Sequence, residues 1–153
     1  MIYPQYHLCL EKYNDTKKIL GELLDEKEEL FAITQPKGID TTKEAVSGGK
    51  SANAFEAYMI RKEETKIEER IREIEEILAA REMLLKDAEM RLKQSLFIED
   101  RIYKMRYLDR TRVFKIARKL NYSESNVYKI LDKIDRTLKE CKKVEKIHVM
   151  ISS

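Results

Sequence analysis

Between Ile60 and Leu92 apolar side chains return every three or four residues, and this row constrains the fold more than any other feature of the chain. One row reads Ile60, Ile67, Ile74, Arg81, Ala88, and the interleaved one Ile71, Leu78, Leu85, Leu92. Alternating steps of four and three lay an apolar seam of about nine turns along one helix that runs from about Ala54 to Ser95. Glu, Lys and Arg fill the outer positions, with i,i+4 pairs such as Glu68 and Arg72 suited to a solvated face. Arg81 breaks the seam and argues against a perfect zipper. A first helix, Leu8 to about Ile33, carries Leu10, Tyr13, Leu20, Leu23, Leu24, Leu30 and Phe31 at spacings of three, four and seven. An antiparallel hairpin with this helix satisfies the seam, and so does a coiled coil with another chain. Residues 34–53, with Pro36, Gly38, Gly48 and Gly49 and no apolar period, read as a linker between the two helices.

Composition agrees with long solvated helices. Of 153 residues, 39% are charged and only two are proline, while tryptophan is absent, so a core must come from Ile, Leu, Met and Tyr. Cys9 and Cys141 lie near opposite ends without metal-type spacing, which suggests free thiols in a reducing cytoplasm. No apolar run approaches the roughly 20 residues that span a bilayer. The N-terminal MIYPQYHLCLEKYN lacks the basic and apolar regions of a signal peptide. The expectation is a cytoplasmic protein with no membrane partner.

After a change of direction at Ser95–Phe97, the spacing of Ile98, Ile102, Met105 and Leu108 predicts a short helix. Asp109-Arg110-Thr111 follows, with Thr111 placed to cap the next helix. Val113, Ile116, Ala117 and Leu120 then form one helical row, and Val127, Ile130, Leu131, Ile134 and Leu138 a second. Between them lies only Asn121-Tyr122-Ser123, in which Ser123 can cap the second helix through its hydroxyl. Two short amphipathic helices this close must cross steeply, and small Ala117 leaves room for the crossing. This is the spacing of a helix-turn-helix, which can present its second helix to a DNA major groove. The tail Cys141–Ser153 reads as a fraying helix or a short packing segment.

Charge concentrates on the same region. Residues 97–153 hold 15 Lys and Arg against 8 Asp and Glu, a net +7, whereas residues 1–96 hold 16 against 20, a net −4. A basic helix-turn-helix is the electrostatic footprint of a DNA binder, because each neutralised phosphate releases condensed counterions.

The segments MRYLDRT (105–111), KIARKL (115–120) and NYSESNVYKI (121–130) resemble the region-four domain of bacterial sigma factors. With the helical arm and glycine-containing linker ahead of it, the whole chain is similar to small phage regulators of the RinA/ArpU kind, which act on late or packaging-associated genes. The resemblance implies that Glu124, Ser125, Asn126, Tyr128 and Lys129 face base edges after the Ser123 cap. Asn126 would suit adenine and Lys129 guanine O6/N7. Glu124 could accept from cytosine N4 or serve as a first-turn carboxylate favoured by the helix dipole. Arg110, Thr111, Arg112, Lys115, Arg118, Lys119, Lys133 and Arg136 are the corresponding phosphate-contact candidates.

Other chemistry finds little footing. Gly49-Lys50-Ser51 has the ending of a phosphate-binding loop, but Glu44 stands where that motif needs its first glycine, and no apolar strand precedes it. His7 and His148, the only histidines, lie far apart with no pattern of metal ligation or of a triad. No enzyme, cofactor or metal is expected.

The expected fold is therefore all-α. A helical arm over 1–96 (helices about 8–33 and 54–95, linker 34–53) precedes a three-helix helix-turn-helix domain over 97–153. The expected function is a phage transcriptional regulator that binds double-stranded DNA, with the arm used for self-association into a homo-oligomer or for contacting host RNA polymerase. The rivals are a phage small terminase subunit, which also joins a helix-turn-helix to an oligomerising helical region, and a coiled-coil interaction protein with a basic pole.

Overall fold

The computed structural model describes residues 1–34 and 50–152, and every regular element among them is helical. In chain order these are α1 (Tyr3–Thr34), α2 (Lys50–Gln94), α3 (Ile98–Tyr103), a π-helical turn (Lys104–Leu108) that prolongs α3, α4 (Val113–Leu120) and α5 (Glu124–Ser152). Both arm helices run past their expected limits: α1 starts at Tyr3 and reaches Thr34, and α2 begins at Lys50. The remainder of the 34–53 linker, including Gly49 of the GKS triplet, lies outside the described residues. The tail continues α5 as helix to Ser152.

Contacts divide the chain differently from the expected 96/97 boundary. One compact unit joins Met1–Tyr13 to Arg81–Ser153, and the other comprises Asn14–Ala80. Side chains from both arm helices join the core of the C-terminal helices. Tyr3 and Tyr6 from α1 and Ala88 and Leu92 from α2 are buried with Ile102, Tyr103, Val113, Ile116, Val127, Ile134 and Leu138. A domain of this size is marginal by itself, and the imported side chains enlarge its core.

A buried carboxylate fastens the start of α1 into this unit. Asp100, fully buried on α3, accepts the backbone N–H groups of Ile2 (2.9 and 3.0 Å) and Tyr3 (2.8 Å). The Ser95 hydroxyl donates to the same carboxylate at 2.5 Å and accepts the Phe97 N–H at 3.3 Å. The helix N-terminus thus gains both acceptors for orphan amides and a negative charge at the positive end of its dipole. Pro4 in the first turn is tolerated because that position needs no intrahelical donor.

Beside this cap the rings of Tyr3, Tyr103 and Tyr107 form a column, with centroids 5.4 Å apart for the first pair and 4.7 Å for the second. Tyr6 and His7 meet Tyr103 edge-on, and the Tyr103 hydroxyl lies 2.9 Å from His7 Nδ1. Burial pushes the Tyr103 phenol well above its usual range. His7 is a packing histidine, with Nε2 3.2 Å from Glu11. Lys142 reaches Glu11 at 2.7 Å and Glu145 reaches Lys12 at 3.1 Å, tying α5 to α1. Cys9 and Cys141 are free and half-buried.

The seam positions of α2 are the less exposed ones in each unit. In the first unit Arg81, Leu85, Ala88 and Leu92 are buried or half-buried, and Arg81 donates to the Lys12 carbonyl at 3.0 Å. In the second unit the same holds for Ile60, Ile67, Ile71, Ile74 and Leu78, with Thr16, Leu20, Leu23 and Leu30 inward on α1. Within this unit Lys27 of α1 pairs with Glu68 of α2 at 3.5 Å. The expected α1 row is corrected at Leu24 and Phe31, which are exposed, because the inward row steps through Leu20, Leu23 and Leu30 and takes in Thr16, which was not expected.

Candidate nucleic-acid interface

The surface that sequence reasoning singled out is built by α4, a three-residue turn and α5. Val113, Ile116 and Ala117 turn inward from α4 to meet Val127, Leu131 and Ile134 of α5 in the core. Arg112, Lys115, Arg118 and Lys119 are left outward by the same helical period. Asn121 ends α4 in the left-handed conformation (φ 56°, ψ 39°), and Tyr122 N–H returns to the Ala117 carbonyl at 3.0 Å. Asparagine is among the few residues that accept this geometry cheaply, so the turn is encoded locally. Ser123 then caps α5, its hydroxyl accepting the Asn126 N–H at 3.2 Å.

The approach to α4 is more constrained than its sequence suggests. Thr111 is not the cap; Arg112 occupies that position, with no side-chain bond to the helix end. Thr111 instead donates its N–H to the Met105 carbonyl at 2.8 Å, and its own carbonyl accepts from Arg106 at 3.4 Å. Arg110 between them has φ 52°, a left-handed geometry that costs a non-glycine residue about 1–2 kcal/mol. The π-helical turn just before it widens the end of the α3 helix. Such bulges and strained residues concentrate at functional sites, and here the π-helical turn and the strained Arg110 lead into Arg112.

On α5, Glu124, Ser125, Asn126, Tyr128 and Lys129 are all exposed, with Tyr128 at 55%. Ser125, Tyr128, Lys129 and Asp132 share one face, and Asn126, Lys129 and Lys133 an adjoining one. Glu124 stands in the first turn, where the dipole favours it whatever else it does. Lys133 is exposed but lies 3.5 Å from Glu99, so it must exchange that partner for any phosphate. Arg112, Lys115, Arg118 and Lys129 have no ion-pair partner among the described residues.

Three features escaped the sequence reading. Phe114 of α4 and Tyr122 of the turn are exposed, although a period-3.6 row marks only what is buried. Tyr107 donates to Asp135 at 2.8 Å and pins the π-helical turn to α5, a contact across 28 positions. Its phenol is pushed up to about 12, first by burial and then by that hydrogen bond.

Among the described residues no group of His, Cys, Asp and Glu is arranged to hold a metal ion, and no helix is long and apolar enough to cross a membrane. The arrangement offers exposed hydrogen-bond donors and cations on α4 and α5, chemistry suited to a polyanion. Comparison with known protein families, curated proteins and solved structures finds no match to this chain.

Proposed function

We propose that this chain is a sequence-specific DNA-binding protein whose α5 enters the major groove by its first turns. The observation that carries the reading is the outward face of α4 and α5, where Arg112, Lys115, Arg118 and Lys129 stand exposed without ion-pair partners while the opposite face is buried. Phosphate contacts from α4 would set the register, and Ser125, Asn126, Tyr128 and Lys129 would read bases. The three-residue turn and the serine cap are what a groove-inserted helix needs to be held at a fixed angle. The likeness of residues 105–130 to sigma region four makes transcriptional regulation in a phage or prophage the favoured setting, with host RNA polymerase as a further partner.

The test is titration of the full chain with duplex DNA over a range of salt. If four cations each neutralise one phosphate, log K falls against log salt with a slope of about −3 to −4. Absence of binding, or binding indifferent to salt, removes the reading.

A further inference from the structure

A second charged surface lies away from these base-reading positions. The end of α2, the α3 helix and the last turn of α4 enclose a cleft of about 490 Å³, and no residue of α5 lines it. Arg101, Lys104 and Lys119 border it, with no ion-pair partner among the described residues, while Asp109 is the single carboxylate. Its wall includes half-buried Met105. At its rim, on the turn between α2 and α3, Leu96 is 91% exposed, the most exposed large apolar side chain among the described residues. Phe97 follows it, also exposed.

We propose that this cleft is a docking site for an acidic, leucine- or phenylalanine-bearing segment of a partner protein. Charge complementarity names the occupant: three unpaired cations attract carboxylates, and like-charged basic segments are repelled. The apolar rim decides between a peptide and a nucleic acid. A phosphate backbone has no use for an outward leucine beside a methionine wall, whereas an amphipathic peptide buries both against its own apolar side chain. The exposed Leu96-Phe97 pair stays out of the core because the Asp100–Ser95 bond fixes the turn that carries it. Ser95 Oγ also accepts the Phe97 N–H at 3.3 Å, which ties the base of the site to α3.

The experiment uses the full chain and a fluorescein-labelled synthetic peptide with leucines four residues apart on one helical face and Asp or Glu elsewhere. A second peptide carries Lys at every acidic position. The wild-type protein is expected to bind the acidic peptide saturably and more weakly as salt rises, and to ignore the basic one. Leu96→Asp and Arg101→Glu/Lys104→Glu should each weaken it by about tenfold or more. Leu96→Asp lies on a solvent-exposed turn, so its thermal melt and its duplex DNA affinity should match the wild type. No saturable binding by the wild type overturns the proposal, as does equal binding by the variants. Loss of duplex affinity in Arg101→Glu/Lys104→Glu with peptide binding intact also overturns it, and assigns the cations to nucleic acid.

Discussion

The Asp100 carboxylate accepts the Tyr3 backbone N–H at 2.8 Å across 97 positions of sequence. That bond is why the first residues of α1 belong with the C-terminal helices. Asp100→Ala removes an acceptor shared by Ile2, Tyr3 and the Ser95 hydroxyl, and leaves buried donors unsatisfied. The expected loss is about 2–4 kcal/mol, read as a lower midpoint in urea denaturation monitored by circular dichroism. A midpoint equal to that of wild type would mean the N-terminal turn contributes nothing to the unit.

The same packing bears on dissection of the protein. A fragment of residues 97–153 lacks Tyr3, Tyr6, Ala88 and Leu92, four members of the core. It is expected to lose cooperative thermal unfolding and to bind the hydrophobic dye ANS. A sharp melt from this fragment would show that the 97–153 helices close a core by themselves.

Base reading and phosphate contact separate by mutation. Asn126→Ala and Lys129→Ala should each cost about 1–3 kcal/mol at particular base pairs and relax preference there. Arg118→Ala should weaken all duplexes alike. Lys133→Ala should have the smallest effect, because Lys133 already answers Glu99 at 3.5 Å. Binding to a panel of duplexes with single base-pair changes checks all four, and uniform losses from Asn126→Ala and Lys129→Ala would place α5 outside the groove.

Alkaline pH should loosen the link between the π-helical turn and α5. The Tyr107 phenol is pushed up to about 12 from the ordinary 10.0, so it holds its proton more firmly folded than unfolded. Its contribution is whole below about pH 10 and is lost as pH climbs towards 12. Tyr107→Phe, which lacks both the proton and the bond to Asp135, should show a shallower fall in melting temperature over that interval. An identical fall in both proteins would assign the alkaline loss to other groups.

How far the fold could be read in advance depended on the range of the interaction. The α2 seam was legible residue by residue, since Ile60, Ile67, Ile71, Ile74, Leu78, Leu85, Ala88 and Leu92 are all buried or half-buried where the spacing put them. The Asn121 turn and the Ser123 cap were legible too, because each acts within four residues. Thr111 misled for the opposite reason: its N–H and carbonyl are claimed by Met105 and Arg106, so α4 starts one residue later. The start of α1 was also missed, because its cap is supplied by Asp100 and not by a neighbour in sequence.

Periodicity and local capping chemistry therefore determined by themselves that the chain is all-α, where most helices run, and which side chains of α4 and α5 point outward. Only tertiary structure decided that Tyr3 and Tyr6 of α1 and Ala88 and Leu92 of α2 join the C-terminal core, and that Lys133 answers Glu99. Helical spacing reports which face avoids water, but any apolar surface can cover that face. The choice between coverings rests on shape, on buried hydrogen bonds such as those to Asp100, and on ring stacking such as that of Tyr3, Tyr103 and Tyr107.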